Sequence, residues 1–283
     1  MADLKGARSS RLGLHAGALL AAVALAIFVL RAALEAGTYP VAELATRVPE
    51  RTAMMRDRAL RLHAGVDRRW LPYERISPLL RRAVLIAEDD AFFSHDGFDW
   101  NEIRSAAREN LEAGRIVRGG STITQQLARN LYLGDARTLT RKLEEAFVAV
   151  RLERALSKRR IFELYLNLIE WGDGIYGAEA AAQHIFGVSA ADLTPRQAVL
   201  LAAVIINPRR FSPLDPPPRI ERRVRRIAGR LLRRGALDEA SYRLAIGEAP
   251  GAADSSGADS LRGPASAPPE SAAAAAPESL AAP

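Results

Sequence analysis

The most regular hydrophobic pattern in the chain is an apolar run near its start. It covers residues 12–30, is interrupted only by His15, and is about as long as one membrane-spanning helix requires. Positive charges lie mainly on its N-terminal side, at Lys5, Arg8 and Arg11. This asymmetry predicts a cytoplasmic N-terminus of residues 1–11 and places the rest of the chain outside. A cleaved signal peptide is the alternative, but the segment after the run offers no clean Ala-x-Ala cleavage site, which favours a retained anchor over residues 12–34.

After the anchor, apolar positions recur with a helical period. No run of alternating β-branched residues appears, so residues 39–247 are predicted to form one domain that is almost entirely helical. Helices are predicted over Ala53–His63, Leu79–Ala87, Glu102–Leu111, Arg137–Leu156, Ala178–Phe186 and Arg222–Arg234, with further starts at Ser121 or Thr122, Ser157 and Leu193. Residues 250–283 are rich in Ala, Pro, Ser, Gly and Glu, and this composition predicts a disordered tail.

Composition limits the chemistry that the chain can use. Its 283 residues suffice for one sizeable domain with appendages, and the formal charge is +7. The absence of cysteine excludes disulfides, thiol nucleophiles and Cys-based metal sites, and four histidines argue against a His-rich zinc site. The basic balance suits a partner with phosphates, namely nucleic acid, an anionic lipid surface or a phosphorylated substrate. The basic helix Arg222–Arg234 is interpreted either as a solvated face or as a membrane-surface contact.

A glycine pair followed by a polar helix start stands out near the middle of the chain. Gly119–Gly120 frees the backbone to turn, and Ser121 or Thr122 can cap the helix that follows. Unpaired N–H groups and a positive dipole end at such a start suit an anion. Polar side chains then occupy the first two turns, at Gln125, Gln126, Arg129 and Asn130. They resemble a ligand wall, although a well-capped surface helix would show the same residues.

An acidic cluster occupies an unfavourable place at the end of a predicted helix. Ser77 and Pro78 form a helix start, and the helix ends at Glu88-Asp89-Asp90. Carboxylates beside a negative dipole end and apolar neighbours should have a raised pKa, which suits proton transfer near neutral pH. A solvated acidic turn is the alternative. The next segment, residues 91–100, interleaves aromatic residues with acids and His95, which is unusual for a purely structural loop.

A second carboxylate lies among cations on a later predicted helix. Arg141 and Glu145 are four residues apart, so they share a helix face, and Lys142 is one position round. An exposed ion pair of little energetic worth is one interpretation. Apolar residues around the pair indicate partial burial instead.

Five segments in order resemble the glycosyltransferase domain of bacterial peptidoglycan polymerases, family 51. They are Glu88-Asp89-x-x-Phe92-x-x-His95-x-Gly97, Gly119–Gln126, Arg141-Lys142-x-x-Glu145, Lys158-Arg159-Arg160-Ile161-x-Glu163-x-Tyr165-Leu166-Asn167, and Leu193 through Pro208. The resemblance covers roughly residues 39–213. Larger members carry a penicillin-binding domain after this one, and the present chain is too short for it, so the monofunctional, biosynthetic branch of the family is expected.

The resemblance implies a mainly α, lysozyme-like domain on one N-terminal transmembrane helix. Its expected location is the bacterial inner membrane, with the catalytic domain periplasmic. The implied substrates are lipid II and the nascent lipid-linked glycan, joined with inversion into a β-1,4 bond. A divalent metal, Mg²⁺ or Mn²⁺, is expected and no organic cofactor. Proteins of the cell-division or elongation machinery are compatible partners, and nucleic acid is not expected.

The resemblance also implies roles for individual residues. Glu88 is the expected base that takes the proton of the acceptor hydroxyl, and Glu145 would position the metal or nearby cations, or assist the leaving group. The expected pyrophosphate ligands are Arg129, Arg137, Arg141 and Lys142. The other expected substrate-binding residues are Gly120, Ser121, Thr122, Gln125, Gln126 and Lys158, with Asp89 and His95 shaping the surroundings of the base. Arg129 stands where many members have Lys, and Gln197 replaces a frequent Glu in a structural position.

Two other functions use some of the same residues. A lytic enzyme of similar fold would also need a glutamate, but it would have no use for the cations between residues 129 and 142. A catalytically silent, membrane-anchored partner would need neither Glu88 nor Glu145.

Overall fold

The first element is a single long helix that contains the predicted anchor. A computed structural model describes residues 3–62, 66–117, 119–136 and 138–248. In it α1 runs from Asp3 to Gly37, so it is longer at both ends than the predicted span. Its Gly17–Gly37 part has a mean hydropathy of 2.4 and is long and apolar enough to cross a membrane. The predictions for His63, Arg137 and the 250–283 tail fall on positions outside the described residues.

The rest of the described chain is mainly helical, as predicted. Its first half contains a 3-10 turn Val41–Ala45, α2 Ala53–Leu62, a 3-10 turn Tyr73–Arg75, α3 Pro78–Glu88, a 3-10 turn Phe92–Ser94, α4 Trp100–Ala113, α5 Ile123–Ala128 and a π-helical turn Arg129–Leu133. Its second half contains α6 Leu139–Ala155, α7 Lys158–Leu168, α8 Ala178–Phe186, α9 Pro195–Val204, α10 Pro218–Arg233 and α11 Glu239–Ile246.

A small three-stranded sheet was not predicted. β1 (Asp67–Arg68) pairs in parallel with β3 (Ile175–Tyr176), which also pairs antiparallel with β2 (Glu170–Gly172). Strands of two or three residues are too short to show an alternating pattern, so the sequence indicated only a turn here. Gly177 ends this hairpin with φ +90°, and a Cβ at this position would lie 2.8 Å from the Asn167 carbonyl oxygen, so only glycine fits.

Two buried helices form the centre of the domain. Every residue of α7 from Leu164 to Leu168 is buried, and so is every residue of α9 from Ala198 to Val204. α3 packs against α9 and α10, while α5 packs against α6 and α7. The helices that carry the two predicted carboxylates, α3 and α6, are thus joined through this core and through α5.

The end of α1 is packed onto the domain rather than free of it. α1 contacts α6, and Ala32 and Ala36 are fully buried. The Arg151 guanidinium of α6 donates a hydrogen bond to the Ala36 carbonyl oxygen. α1 therefore continues into the folded domain without a flexible link at this point.

Candidate active site

α3 is built to deliver an acid at its C-terminal end. The Ser77 hydroxyl accepts a hydrogen bond from the Leu80 N–H, and Pro78 occupies the first turn, as predicted. One face of the helix is buried in the core, through Leu80, Ala83, Val84 and Ile86. The helix ends at Glu88, and the extended backbone of Asp89 turns the chain away.

The Glu88 carboxylate is largely shielded from solvent and lies between two hydrogen-bond donors. Its side chain is 11% exposed. Oε1 accepts from Arg223 Nη2 at 2.7 Å, and Oε2 accepts from Gln126 Nε2 at 3.1 Å. Burial raises the pKa of Glu88 above its ordinary value and outweighs the opposing effects of Arg223, Gln126 and Arg129. The predicted direction of the pKa shift is confirmed.

The amide of Gln126 is oriented by a buried tyrosine. The Tyr165 hydroxyl of α7 donates to Gln126 Oε1 at 3.0 Å, so the amide must present its NH₂ group to Glu88. Burial, followed by the charge of Glu88, raises the pKa of Tyr165 well above its ordinary value, so the phenol keeps its proton and remains a donor.

Asp89 and His95 brace the segment that follows the acid. Asp89 Oδ2 accepts from the Ile123 N–H at 2.9 Å, and Asp89 Oδ1 lies 3.0 Å from His95 Nε2. The Gly97 N–H donates to His95 Nδ1, so Nδ1 is an acceptor and the proton of a neutral imidazole must be on Nε2, facing Asp89. Asp89 therefore ties the end of α3 to the start of α5.

The start of α5 is closed by internal hydrogen bonds. Thr122 caps it in a capping box with Gln125, and the Thr122 hydroxyl donates to the Gly97 carbonyl oxygen at 2.7 Å. The N–H groups of Thr122, Ile123 and Gln125 all have partners inside the protein, so these three are not open to an anion. The buried side chains of Thr122 and Gln125 hold the backbone rather than line a cleft.

The glycine pair and Ser121 differ in exposure. A Cβ on Gly120 would lie 3.2 Å from the Ile103 Cα, so this glycine permits close packing of the loop against α4. Ser121 is exposed, and its hydroxyl oxygen accepts from Lys142 Nζ at 2.8 Å. Of the polar residues predicted around this turn, Ser121 is exposed, and Gln126 and Arg129 are half-buried.

Glu145 lies in a second, separate cluster of charges. Its side chain is 3% exposed, Oε2 accepts from Arg141 Nη1 at 2.6 Å, and Oε1 accepts from Lys142 Nζ. Burial of this pair is confirmed, so the exposed ion pair is the wrong interpretation. Since Lys142 also contacts Ser121, the Glu145 cluster touches one end of the 121–126 segment and Glu88 touches the other.

Lys158 has partners inside the fold. Its Nζ donates to Glu153 Oε1 at 2.8 Å and lies 4.4 Å from the centre of the Phe92 ring. The Thr124 hydroxyl donates to the same carboxylate oxygen. This arrangement ties α5 to α6 and α7, and the contact of Lys158 with substrate stays a prediction.

A polar cavity of about 240 Å³ opens beside Gln126. Its lining includes Gln126, Arg129, Asp135, Glu170 and Arg209. Among the described residues the Arg129 Nε is buried and has no hydrogen-bond partner. Neither Glu88 nor Glu145 is among the lining residues, and Glu88 lies directly behind Gln126.

The described residues do not fit a preformed metal site. They contain no group of three or more Asp, Glu or His side chains that could hold an ion. Both oxygens of Glu145 already accept hydrogen bonds from Arg141 and Lys142. The Mg²⁺ or Mn²⁺ ion therefore stays a prediction.

The cations that face the acids of α3 come from α10 and were missed. Arg223 binds Glu88, and both Arg230 and Arg234 bind Asp90. The sequence predicted that the basic helix has a solvated face or contacts a membrane surface. The solvated interpretation holds for three exposed arginines of α10, namely Arg222, Arg225 and Arg226. The spacing i, i+7, i+11 of the three binding arginines was the available signal, because it places them on one stripe of the helix.

Comparison with known proteins identifies the family of the chain. A family model described as transglycosylase matches residues 56–232. The biosynthetic peptidoglycan transglycosylase of Nitrosospira multiformis is 49% identical over 168 residues, which cover 59% of this chain and 73% of that protein. The protein of the same name from Laribacter hongkongensis is 52% identical over 168 residues (58% and 74%), and that from Chromobacterium violaceum is 46% identical over 188 residues (65% and 82%).

Proposed function

The chain belongs to the transglycosylase family and is a peptidoglycan glycosyltransferase of cell-wall synthesis, and we propose that it polymerises lipid II with release of undecaprenyl diphosphate. The observation that carries the proposal is the buried Glu88 carboxylate, held between Arg223 and Gln126 with a raised pKa. In this reaction the 4-hydroxyl of one lipid II attacks the anomeric carbon of the lipid-linked glycan. Inversion at that carbon converts an α-linked pyrophosphate into a β-1,4 glycosidic bond.

Glu88 is suited to the role of general base. An alcohol is a poor nucleophile until its proton is removed, and a carboxylate whose pKa is raised towards neutrality is an effective acceptor. Each Glu88 oxygen uses one lone pair for Arg223 or Gln126, so a second lone pair remains for the substrate proton. The donors on the two oxygens fix the direction in which the carboxylate faces.

Fixed cations can stabilise the departing pyrophosphate. Negative charge builds up on the leaving group in the transition state, and preorganised donors lower the energy of that charge. Arg129 is the best placed of the predicted cations, because it lines the cavity beside Gln126. Arg141 and Lys142 form a second cationic group, and Arg137 remains a predicted ligand outside the described residues.

Glu145 fits a positioning role better than that of a proton donor. Its two oxygens each accept a hydrogen bond from a cation, and these contacts set where Arg141 and Lys142 point. No step is assigned to a divalent metal, and the proton and charge movements above use only side chains of the protein.

We place this chemistry at the outer face of the bacterial inner membrane. α1 supplies a helix long enough to span the bilayer, and the positive charges before its apolar part favour a cytoplasmic N-terminus. The catalytic domain would then be periplasmic and close to lipid-linked substrate. Proteins of the division or elongation machinery are compatible partners.

Polymerisation of purified lipid II tests the function directly. The full-length protein, reconstituted in vesicles with lipid II, should convert it into glycan strands separable by electrophoresis. Breakdown of preformed, lipid-free glycan without any polymer would instead identify a lytic enzyme. Absence of both reactions, with the protein folded and inserted, would contradict the proposal.

A further inference from the structure

α10 closes over the acidic end of α3 through a row of arginines. Arg223 Nη2 donates to the Ala87 carbonyl oxygen at 3.0 Å and to Glu88 Oε1 at 2.7 Å. Two turns further along α10, Arg230 donates to the Ile86 carbonyl oxygen at 3.4 Å and binds Asp90. The two residues therefore repeat one pattern, in which an arginine joins a terminal carbonyl of α3 to a carboxylate.

This contact explains how the acidic cluster is tolerated. The C-terminal carbonyl groups of a helix carry partial negative charge, and adjacent carboxylates add to it. Arg223 and Arg230 cap those carbonyl groups and neutralise the acids at the same time. The 3.0 Å and 2.7 Å contacts of Arg223 fix the end of α3 and the carboxylate on it together.

Arg223 differs from its neighbours because it alone reaches the proposed base. Its side chain is 18% exposed, and its Nε is buried without a hydrogen-bond partner in the described residues. Arg230 and Arg234 bind Asp90 and do not bind Glu88. Within residues 3–62, 66–117, 119–136 and 138–248, the charged and titratable groups that face Glu88 are Arg223 from α10, Arg129 from the π-helical turn, Tyr165 from α7 and the adjacent Asp89.

We propose that Arg223 is a positioning residue for glycosyl transfer: it holds the Glu88 carboxylate towards Gln126 and keeps it ionised at the pH where the enzyme works. The proposal rests on the proposed role of Glu88 as base. Burial alone would favour the protonated acid, which cannot accept a proton, and the guanidinium opposes that tendency. Gln126 orients the other oxygen but brings no charge.

The test measures the titration of Glu88 itself. The full-length protein, labelled with carbon-13 at its glutamate carboxyl groups, is titrated by NMR in detergent micelles, and the Glu88 signal is the one that E88Q lacks. R223Q and R223M remove the charge but keep a side chain of similar length, so the Glu88 midpoint should rise by about 1–3 pH units. R223K keeps the charge and should restore most of the wild-type midpoint.

Matched variants separate positioning from general stability. R230Q breaks the companion contact between α10 and α3, so it should lower the melting temperature without moving the Glu88 midpoint. R226Q changes an exposed arginine on the same helix and should alter neither. In the polymerisation assay, the acidic limb of the kcat profile should move to higher pH in R223Q and R223M and return in R223K.

The outcomes are distinct for the two proposals. A wild-type Glu88 midpoint in a folded R223Q or R223M protein overturns the role of Arg223. So does an equal rise in R230Q or R226Q. Retention of polymerase activity in E88Q would remove the base assignment, whereas the NMR titration would still report whether Arg223 controls the carboxylate.

Discussion

At the scale of single residues, the site depends on the balance between desolvation and charge at Glu88. Burial raises its pKa, and Arg223, Gln126 and Arg129 partly oppose the rise. The result is an acid whose proton affinity lies above that of a free glutamate and whose orientation is fixed by two donors. Loss of the guanidinium charge of Arg223 and loss of the hydrogen bond from Gln126 should therefore have separable effects on Glu88.

Glu88→Gln should abolish polymerisation. The amide has nearly the same shape but cannot accept the hydroxyl proton, and loss of a general base lowers rates by roughly 10² to 10⁴. Single-turnover rates with lipid II measure the loss, and circular dichroism with a lipid II binding assay provides the control. Wild-type rates in this variant would remove Glu88 from catalysis.

Polymerisation should decline on acidification with a midpoint above 4.5, the ordinary pKa of a glutamate. The sign follows from the role of the residue: a base must be ionised, burial raises its pKa, and activity is lost as the pH falls through that raised value. The measurement is kcat against pH, with circular dichroism at each pH to show that the fold persists. A profile that stays flat down to the ordinary value would contradict the proposed base.

At the scale of elements, local signals were read correctly and long-range pairings were not. The caps of α3 and α5 lie within a few residues of the helices they start. The sequence therefore identified Ser77-Pro78 and narrowed the cap of α5 to Ser121 or Thr122, of which the structure shows Thr122. The contact between Glu88 and Arg223 joins positions 135 residues apart. The spacing of the arginines places them on one stripe of α10, but it does not say which acids that stripe faces. The two- and three-residue strands were missed for a different reason, since their shortness hides their pattern.

Thr122→Val should destabilise the domain by about 1–2 kcal/mol, because the helix cap is lost and the Gly97 carbonyl oxygen loses a buried donor. Urea unfolding followed by circular dichroism measures the free energy of unfolding. Thr46→Val serves as a control, because Thr46 is exposed. Equal stability of the two variants would show that the capping box contributes little.

At the scale of the whole molecule, the sequence was sufficient to assign the mainly helical fold and the order of the family segments. The 21-residue apolar part of α1 and the five ordered segments depend on composition and spacing, which the sequence itself shows. It was not sufficient to separate residues that touch substrate from those that hold the frame. Thr122, Gln125 and Lys158 carry polar groups that suit either role, and their internal contacts with Gly97, the α5 backbone and Glu153 become visible only in the structure.

Two truncations should separate membrane attachment from domain stability. A protein that lacks residues 1–30 keeps Ala32, Ala36 and the Arg151 contact, whereas one that lacks residues 1–38 loses them. Both should fail to sediment with vesicles, because too little of the apolar helix remains. Only the longer truncation should lower the free energy of unfolding, by roughly 1–2 kcal/mol for the lost methyl burial and hydrogen bond. Equal unfolding energies would show that the α1–α6 contact is weak.

α6 bears both the junction with α1 and the Glu145 cluster. Glu144 of α6 faces Glu35 of α1, and burial, followed by the Glu35 carboxyl, raises the pKa of Glu144. Glu144 directly precedes Glu145, so the junction and the Glu145 cluster are adjacent along α6. Because α1 runs into this junction without a break, the height of Arg141 and Lys142 above a bilayer that α1 spans would be set by the length and tilt of this one helix. An enzyme held in this way would select its donor substrate by distance from the membrane surface. A diphosphate in the headgroup layer would reach the cations, whereas a diphosphate dissolved in the periplasm would gain nothing from the attachment.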